Sequence, residues 1–400
     1  MAGLNETPGG ERLHIGFFGR RNSGKSSLVN ALTGHSTALV SDVAGTTTDP
    51  VYKSMEIHGI GPCSIIDTAG YDDEGDLGSL RVERTSDAAK KTDVAVLVLG
   101  PDDISDDMAE KWAAWFKKHR IPVVLVMNKA DTAQDAEKAA ARISEHIGVE
   151  AIVMSARTGE GVDELKRAII RAVPEDWGSR SVTGRLASEG MNFMLVMPQD
   201  IQAPKGRLIL PQVQTIRDLL DKHCIVTAVT TDKIDAALEL LSSPPDLIIT
   251  DSQAFRTVAA KKPPESLLTS FSVLFAVLKG DKEYFRDSAM KLPHLPHDAK
   301  ILIAEACTHA PLPEDIGREK IPRLLRKHLG DDISVQVVSG PDFPDNLADY
   351  DMIIHCGACM FNRRYVLSRV EEARAAGVPM TNYGMTIASL IGILGDVAMP

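Results

Sequence analysis

Nine residues, Gly19–Ser27, read GRRNSGKSS and match G-x-x-x-x-G-K-[ST], the spacing of a loop that wraps a phosphate chain. The two fixed glycines, Gly19 and Gly24, let the backbone curl until successive N–H groups face one anion. Asn22, Ser23, Gly24, Lys25, Ser26 and Ser27 would line it, at the positive end of the helix that follows. Lys25 would reach the β- and γ-phosphates during catalysis, and the Ser26 hydroxyl would ligate Mg²⁺. Further motifs follow in order. D-T-A-G at Asp67–Gly70 would hold Mg²⁺ through Asp67 and sense the γ-phosphate through the Gly70 N–H. N-K-A-D comprises Asn128, Lys129, Ala130 and Asp131, and its carboxylate can accept two hydrogen bonds from the N1 and N2 edge of guanine. Adenine offers no such donors, and a stranded carboxylate costs about 1–3 kcal/mol or more. Ser155–Ala156 resembles the last loop to touch guanine, and Thr47 in GTTTD is placed to close on Mg²⁺. The expected ligands are GTP or GDP with Mg²⁺.

A second set of reactive side chains lies near the other end. Cys307-Thr308-His309 ends one apolar run, and His355-Cys356-Gly357-Ala358-Cys359 ends another about forty-five residues later. In open parallel sheets ligands bind beyond the carboxyl ends of strands. A helix beginning near Phe361 would lower the thiol pKa values and favour thiolate. Three cysteines and a histidine can close a tetrahedral zinc site. They can equally hold a 4Fe-4S cluster on three thiolates with one iron left for His, water or an external ligand. Spacing alone leaves both open. Cys63 and Cys224 lie inside strand-like runs and read as buried, inert thiols. His294 and His297, between prolines, read as solvated loop residues, as do the pairs Asp72–Asp73 and Asp102–Asp103.

The elements that must position these groups alternate. HIGFFG, CSIIDT, VAVLVLG, PVVLVMNK and AIVMSA predict strands; Ser26–Leu32, Met108–His119, Ala133–Ile147 and Val162–Ala172 predict helices. Such alternation implies a parallel sheet covered on both faces. Glu175–Gly190 reads as a linker. FMLVMP, CIVTAVTT and LIITDS then predict strands; Leu210–His223, Lys233–Ser242 and Gln253–Lys261 predict helices. This block carries no phosphate loop, and pairing between subunits is a use it suits. Lys261–Glu265 reads as a second linker, and the third block contains VLFAVL, KILIAEA, SVQVVSG, DMIIHCG and VPMTNYG. The expected class is α/β: a P-loop domain over 1–175, then two smaller Rossmann-like domains over 185–262 and 266–400.

The phosphate loop and GTTTD resemble the TrmE–Era branch of GTPases. That resemblance implies that Asn22 helps ligate K⁺, which would supply the charge an arginine finger supplies elsewhere. The position after D-x-x-G is Tyr71, which cannot orient water as a glutamine does; the resemblance makes Glu83, in VER, the candidate catalytic base. The whole chain, with C-x-H followed by H-C-x-x-C, resembles the HydF family of FeFe-hydrogenase maturation GTPases. This implies a dimerisation domain, then a cluster domain with a 4Fe-4S cluster on Cys307, Cys356 and Cys359. His309 and His355 become candidates for the fourth iron or for hydrogen bonds around it. It further implies a homodimer or higher oligomer that carries a di-iron precursor to the apo-hydrogenase and works with radical-SAM maturases.

Net charge points the same way. At −11, with 44% hydrophobic and 25% charged residues in 400, the chain suits neither nucleic acid nor an anionic membrane. No apolar run approaches the ~18 residues of a membrane span, and Met1–Arg12 lacks a signal-peptide core, so the expected location is the cytoplasm. Two other readings compete. One is a TrmE–Era-like GTPase acting on RNA or ribosomes with a structural zinc domain. The other is an enzyme whose cluster does redox or radical chemistry, disfavoured because the C-x₃-C-x₂-C spacing of radical-SAM enzymes is absent.

Overall fold

The structure is a computed structural model that describes residues 7–34, 50–70, 84–101, 107–133, 135–198, 208–306 and 315–400. Two compact units divide the chain, Met1–Ser179 and Arg180–Pro400.

In the first unit, six strands form one sheet: β1 (Leu13–Phe18), β2 (Val51–Ile57), β3 (Gly61–Asp67), β4 (Val94–Leu99), β5 (Val123–Met127) and β6 (Ala151–Val153). Their order is β2-β3-β1-β4-β5-β6. The alternating side chains of the central strands feed two cores. Ile15, Phe17, Val96 and Val126 face one; Phe18, Leu97, Leu99 and Met127 face the other. Only β2 runs antiparallel, against β3, so the expected all-parallel sheet has one reversed edge. The sequence VYKSMEI concealed this strand because only Ile57 in it is buried. β3 and β4 flank β1 on opposite sides, so the chain reverses its winding at the carboxyl end of β1, where a crevice opens. Gly19 follows β1 directly. The helix Val162–Ala172 forms with the expected bounds, whereas that expected from Ala133 starts at Ala136.

The second unit contains two four-stranded parallel sheets. The first has the order β10-β9-β7-β8, from β7 (Asn192–Val196), β8 (Ile225–Val229), β9 (Leu247–Thr250) and β10 (Leu267–Ser270). The second has the order β12-β11-β13-β14, from β11 (Lys300–Glu305), β12 (Ser334–Ser339), β13 (Met352–His355) and β14 (Met380–Asn382). Lys261–Glu265 does not end the first sheet, because β10 pairs beyond it with β9. VLFAVL lies in the helix Phe271–Lys279, whose first turn is capped by Ser270 Oγ accepting from Val273 N. Met194, Val196 and Ile248 of the first sheet share a core with Ile301, Ile303 and Ile353 of the second. Phe193, Leu195 and Ile249 face the opposite way, onto Phe271, Leu274 and Phe275. Among the described residues no helix is long and apolar enough to cross a membrane.

Candidate functional site

Lys25 opens the helix α1 (Lys25–Thr33) directly beyond the loop. Asn22 and Gly24 hold left-handed backbone, at φ 63° and 92°. A Cβ on Gly24 would lie 2.2 Å from Asn128 Nδ2, and one on Gly19 would lie 2.2 Å from the Val98 carbonyl oxygen. Lys25 is buried, and its Nζ donates to the Gly19 and Arg20 carbonyls, both at 2.8 Å. The ammonium is thus held at the centre of the loop. Asn22, Ser26 and Ser27 are exposed, and Ser23 is buried.

Asp67 ends β3 beside this loop. Burial pushes its carboxyl above the usual range, opposed by a Ser26 hydrogen bond and the Lys25 charge. Its Oδ1 is buried and has no partner among the described residues. A buried carboxylate oxygen left over, beside a serine hydroxyl and a lysine, fits a divalent cation. Gly70 is buried nearby in sequence. Thr47, Tyr71 and Glu83 lie outside the described residues, as do Asp72–Asp73 and Asp102–Asp103.

Asn128 does more than the motif suggested. Its buried amide donates from Nδ2 to Ser23 O at 3.0 Å and accepts at Oδ1 from Ala156 N at 3.0 Å. It ties the phosphate loop to the last base loop. Lys129 takes a left-handed φ of 63°, which turns the chain so that Asp131 follows in a 3-10 turn. Ser155 Oγ donates to Asp131 Oδ1 at 2.6 Å, and Arg157 pairs with Oδ2. The Ser155 hydrogen bond, then Arg157, holds the Asp131 carboxyl below its ordinary range. Arg157 was not singled out from sequence, although it directly follows Ala156. Gly24, Ser27, Asn128, Asp131, Ala156 and Arg157 all line one cavity of about 520 Å³, within the size range of small-molecule sites.

At the other end of the chain, β13 lies between β11 and β14, with Ala304 opposite His355. This register brings the ends of two neighbouring parallel strands together. Cys356 Sγ accepts backbone N–H bonds from Ala306 at 3.0 Å and Ala358 at 3.4 Å. Ala358 sits in left-handed backbone, φ 52°, which bends its N–H onto the sulfur. Cys356 and Cys359 are half-buried, and Cys63 and Cys224 are buried. Burial pushes the Cys356 thiol up to about 11, against the two N–H groups that favour thiolate. The expectation of a lowered pKa therefore fails for Cys356. The following helix starts at Arg363, and Asn362 Oδ1 caps it by accepting from Tyr365 N, so desolvation dominates at the sulfur. Two thiols on one turn, one of them with two N–H donors aimed at it, fit a metal or cluster that draws out the proton. Cys307 and His309 lie outside the described residues, among which no three metal-binding side chains gather.

His355 is fully engaged. Its Nδ1 lies 2.9 Å from Cys356 O and its Nε2 lies 3.0 Å from the Arg369 guanidinium. Burial, then the Arg369 charge, pushes its pKa down to about 3, so the ring is neutral. Nδ1–H then donates to Cys356 O, and Nε2 accepts from Arg369. Two cations brace the turn. Buried Arg369 also donates to Gly340 O at 2.7 Å, and its guanidinium lies 4.8 Å from the Phe343 and Phe361 rings. Lys279, buried as well, donates to Ala358 O at 3.1 Å and Phe361 O at 2.8 Å. Neither was legible in sequence, since each meets its partners across long chain separations. His294 and His297 are exposed.

Comparison with known proteins gives three family matches. Residues 283–399 match the hydrogen maturase F tetramerization domain, 182–280 its dimerization domain, and 14–129 the 50S ribosome-binding GTPase family. The tRNA modification GTPase MnmE of Laribacter hongkongensis is 38% identical over 166 residues, which are 41% of this chain and 35% of that protein. GTPase Der of Wolinella succinogenes is 36% identical over 193 residues, 46% of this chain and 40% of that protein. The chain thus spans two fifths or less of the length of these curated relatives. A crystal structure of a probable GTP-binding protein engB is similar at 24% identity and TM-score 0.33, over 40% of this chain and 98% of that one.

Proposed function

The chain belongs to the hydrogen maturase F family, and from that premise we propose that it is a GTPase scaffold in FeFe-hydrogenase maturation. Its cargo is a di-iron precursor of the active-site cofactor, delivered to the apo-hydrogenase. The observation that carries the nucleotide half is the single cavity joining Gly24 and Ser27 to Asp131 and Ala156. In this reading Asp131 accepts from the guanine edge, and Ser155 and Arg157 hold its carboxylate in place. Lys25 swings from the loop carbonyls to the β- and γ-phosphates. Ser26, Thr47 and Asp67 are the residues that would hold Mg²⁺, whose charge would stabilise the transferring phosphoryl group. The unpartnered Asp67 Oδ1 supports that assignment. Thr47 and Glu83, the water-orienting candidate, rest on motif position alone.

Asn22 would offer its amide oxygen to K⁺. GTP turnover is accordingly expected to be several-fold faster in KCl than in NaCl at equal ionic strength, measured by phosphate release. Asn22→Ala should remove the difference. Equal rates in the two salts would eliminate the assignment.

Cys307, Cys356 and Cys359 would hold a 4Fe-4S cluster through thiolates, leaving one iron open to a second metal unit. The N–H groups of Ala306 and Ala358 at Cys356 support this, and Cys307 follows Ala306 in the chain. With both His355 nitrogens engaged, His355 braces the Cys356 turn and the fourth iron falls to His309 or to an external ligand. The middle block serves self-association: Val213 and Leu220 on one helix and Ile225 on the edge strand β8 are exposed apolar residues. A homodimer or higher oligomer in the cytoplasm follows, with radical-SAM maturases and the apo-hydrogenase as partners. The competing reading, action on RNA or ribosomes with a structural zinc, draws on the amino-terminal match, on the tRNA modification GTPase relative and on the same cysteines and histidine. The test is activation. Protein matured with the pathway's radical-SAM partners should switch on apo-hydrogenase when mixed with it, and a Cys356→Ala form should not. Equal hydrogen evolution with both forms sinks the proposal.

A further inference from the structure

The second unit contains a cleft lined by the helices Phe255–Lys261 and Ile321–Leu329 that none of these roles uses. Its volume is about 710 Å³, in the range of small-molecule sites. Three structural pieces supply its charge. Arg256 and Lys261 come from the helix Phe255–Lys261, and Arg323 and Lys327 from the helix Ile321–Leu329, with Lys320 just before it. Asp232 is the one carboxylate among the described lining residues. In a chain with net charge −11, this concentrates positive charge where the average would make it negative.

The arrangement also works against local stability. Lys320, Arg323 and Lys327 follow at spacings of three and four, so they stack along one helix face. Like charges at those spacings repel and destabilise a helix. A place in the last turn accounts for Lys327 through the helix dipole, but not for Lys320 or Arg323. Among the described residues, no acidic side chain pairs with Arg256, Arg323 or Lys327, and all three are exposed. Leu324, Ile387 and Ile391 add apolar surface to the lining of the cleft. Lys261 already pairs with Asp235 and Lys320 donates to Gln253, so the charge left for a ligand of opposite sign is that of Arg256, Arg323 and Lys327.

We propose that this cleft binds a small organic polyanion carrying two or more phosphate-type groups on an apolar body. The Arg and Lys side chains would donate charge-assisted hydrogen bonds to the anionic groups, and Leu324, Ile387 and Ile391 would pack under the body. The site is separate from the phosphate loop, which belongs to the other unit.

The probe is adenosine 3′,5′-bisphosphate, titrated calorimetrically into full-length protein already saturated with GDP and Mg²⁺ so that the phosphate loop is filled. One further site per chain is expected, weakening as salt is added. Arg323→Glu combined with Lys327→Glu should weaken it about tenfold or more, while GDP affinity stays unchanged. Arg256→Gln, on the other helix, gives a second reading should the double variant fold poorly, and it should weaken binding as well. No further site in the wild-type protein, or a site indifferent to both variants, overturns the proposal. Binding of an oligoglutamate peptide with none of the bisphosphate also overturns it, and would mark the cleft as a seat for an acidic protein segment.

Discussion

Asp131→Asn is expected to turn a GTP-binding protein into one that prefers xanthosine triphosphate. The Asp131 carboxylate lies on the cavity shared with Gly24 and Ala156, fixed at one oxygen by Ser155 and at the other by Arg157. In the proposed base site guanine would present two N–H donors to it. An asparagine can accept only one, and its own NH₂ faces the other donor. Two charge-assisted bonds at about 1.5–3 kcal/mol each become one ordinary bond and one clash. GTP affinity should therefore fall at least about 100-fold. Xanthine carries an oxygen where guanine carries the amino group, so the introduced side-chain amide can donate there and affinity for the xanthine nucleotide should rise. Competition against a fluorescent GDP analogue measures both. Unchanged GTP affinity would remove Asp131 from the base site.

The second large effect is a pH dependence in the iron-free protein. His355 has a folded pKa of about 3 against an ordinary 6.5, because burial and Arg369 oppose a charged ring. Below pH 6.5 the unfolded chain takes up a proton that the folded chain refuses. The stabilisation is therefore complete above pH 6.5 and is lost as pH falls towards 3. Each pH unit in that window should cost about 1.4 kcal/mol from this one residue. Carboxylates contribute to acid unfolding too, so the informative quantity is the difference from His355→Gln, which has no such proton. Denaturant unfolding at pH 7.0, 6.0 and 5.0 should show a steeper loss in the wild-type protein than in the variant. Parallel losses would mean that His355 titrates freely and that the Arg369 brace is absent.

Legibility in the sequence tracked how local each feature is. The phosphate loop, D-T-A-G and N-K-A-D are contiguous runs at strand ends; in the structure Gly19 follows β1, Asp67 ends β3 and Asn128 follows β5. Strands β1 and β4 were plain because every residue in them is buried. β2 was not, since an edge strand with one buried residue carries no apolar run. VLFAVL carried no element type in the sequence for a different reason: a helix buried on most sides is apolar all round, and period alone cannot separate it from a buried strand. The supports of the cysteine turn were invisible for a third reason. Lys279 meets Ala358 across 79 positions, and Arg369 meets Gly340 across 29, so only the folded sheet brings them together. The thiol pKa at Cys356 went the other way from expectation because helix proximity is a local signal and burial is not.

Anaerobic iron and sulfide analysis with electron paramagnetic resonance, on protein reconstituted with iron and sulfide, bears most directly on the proposed cluster site. Three thiolates on Cys307, Cys356 and Cys359 predict about four irons and four labile sulfides per chain, as for a 4Fe-4S cluster. The reduced protein should give a cluster signal, and Cys356→Ala should lose both metal and signal while still binding GDP. A single tightly held zinc with no sulfide, or a cluster that survives Cys356→Ala unchanged, would contradict it.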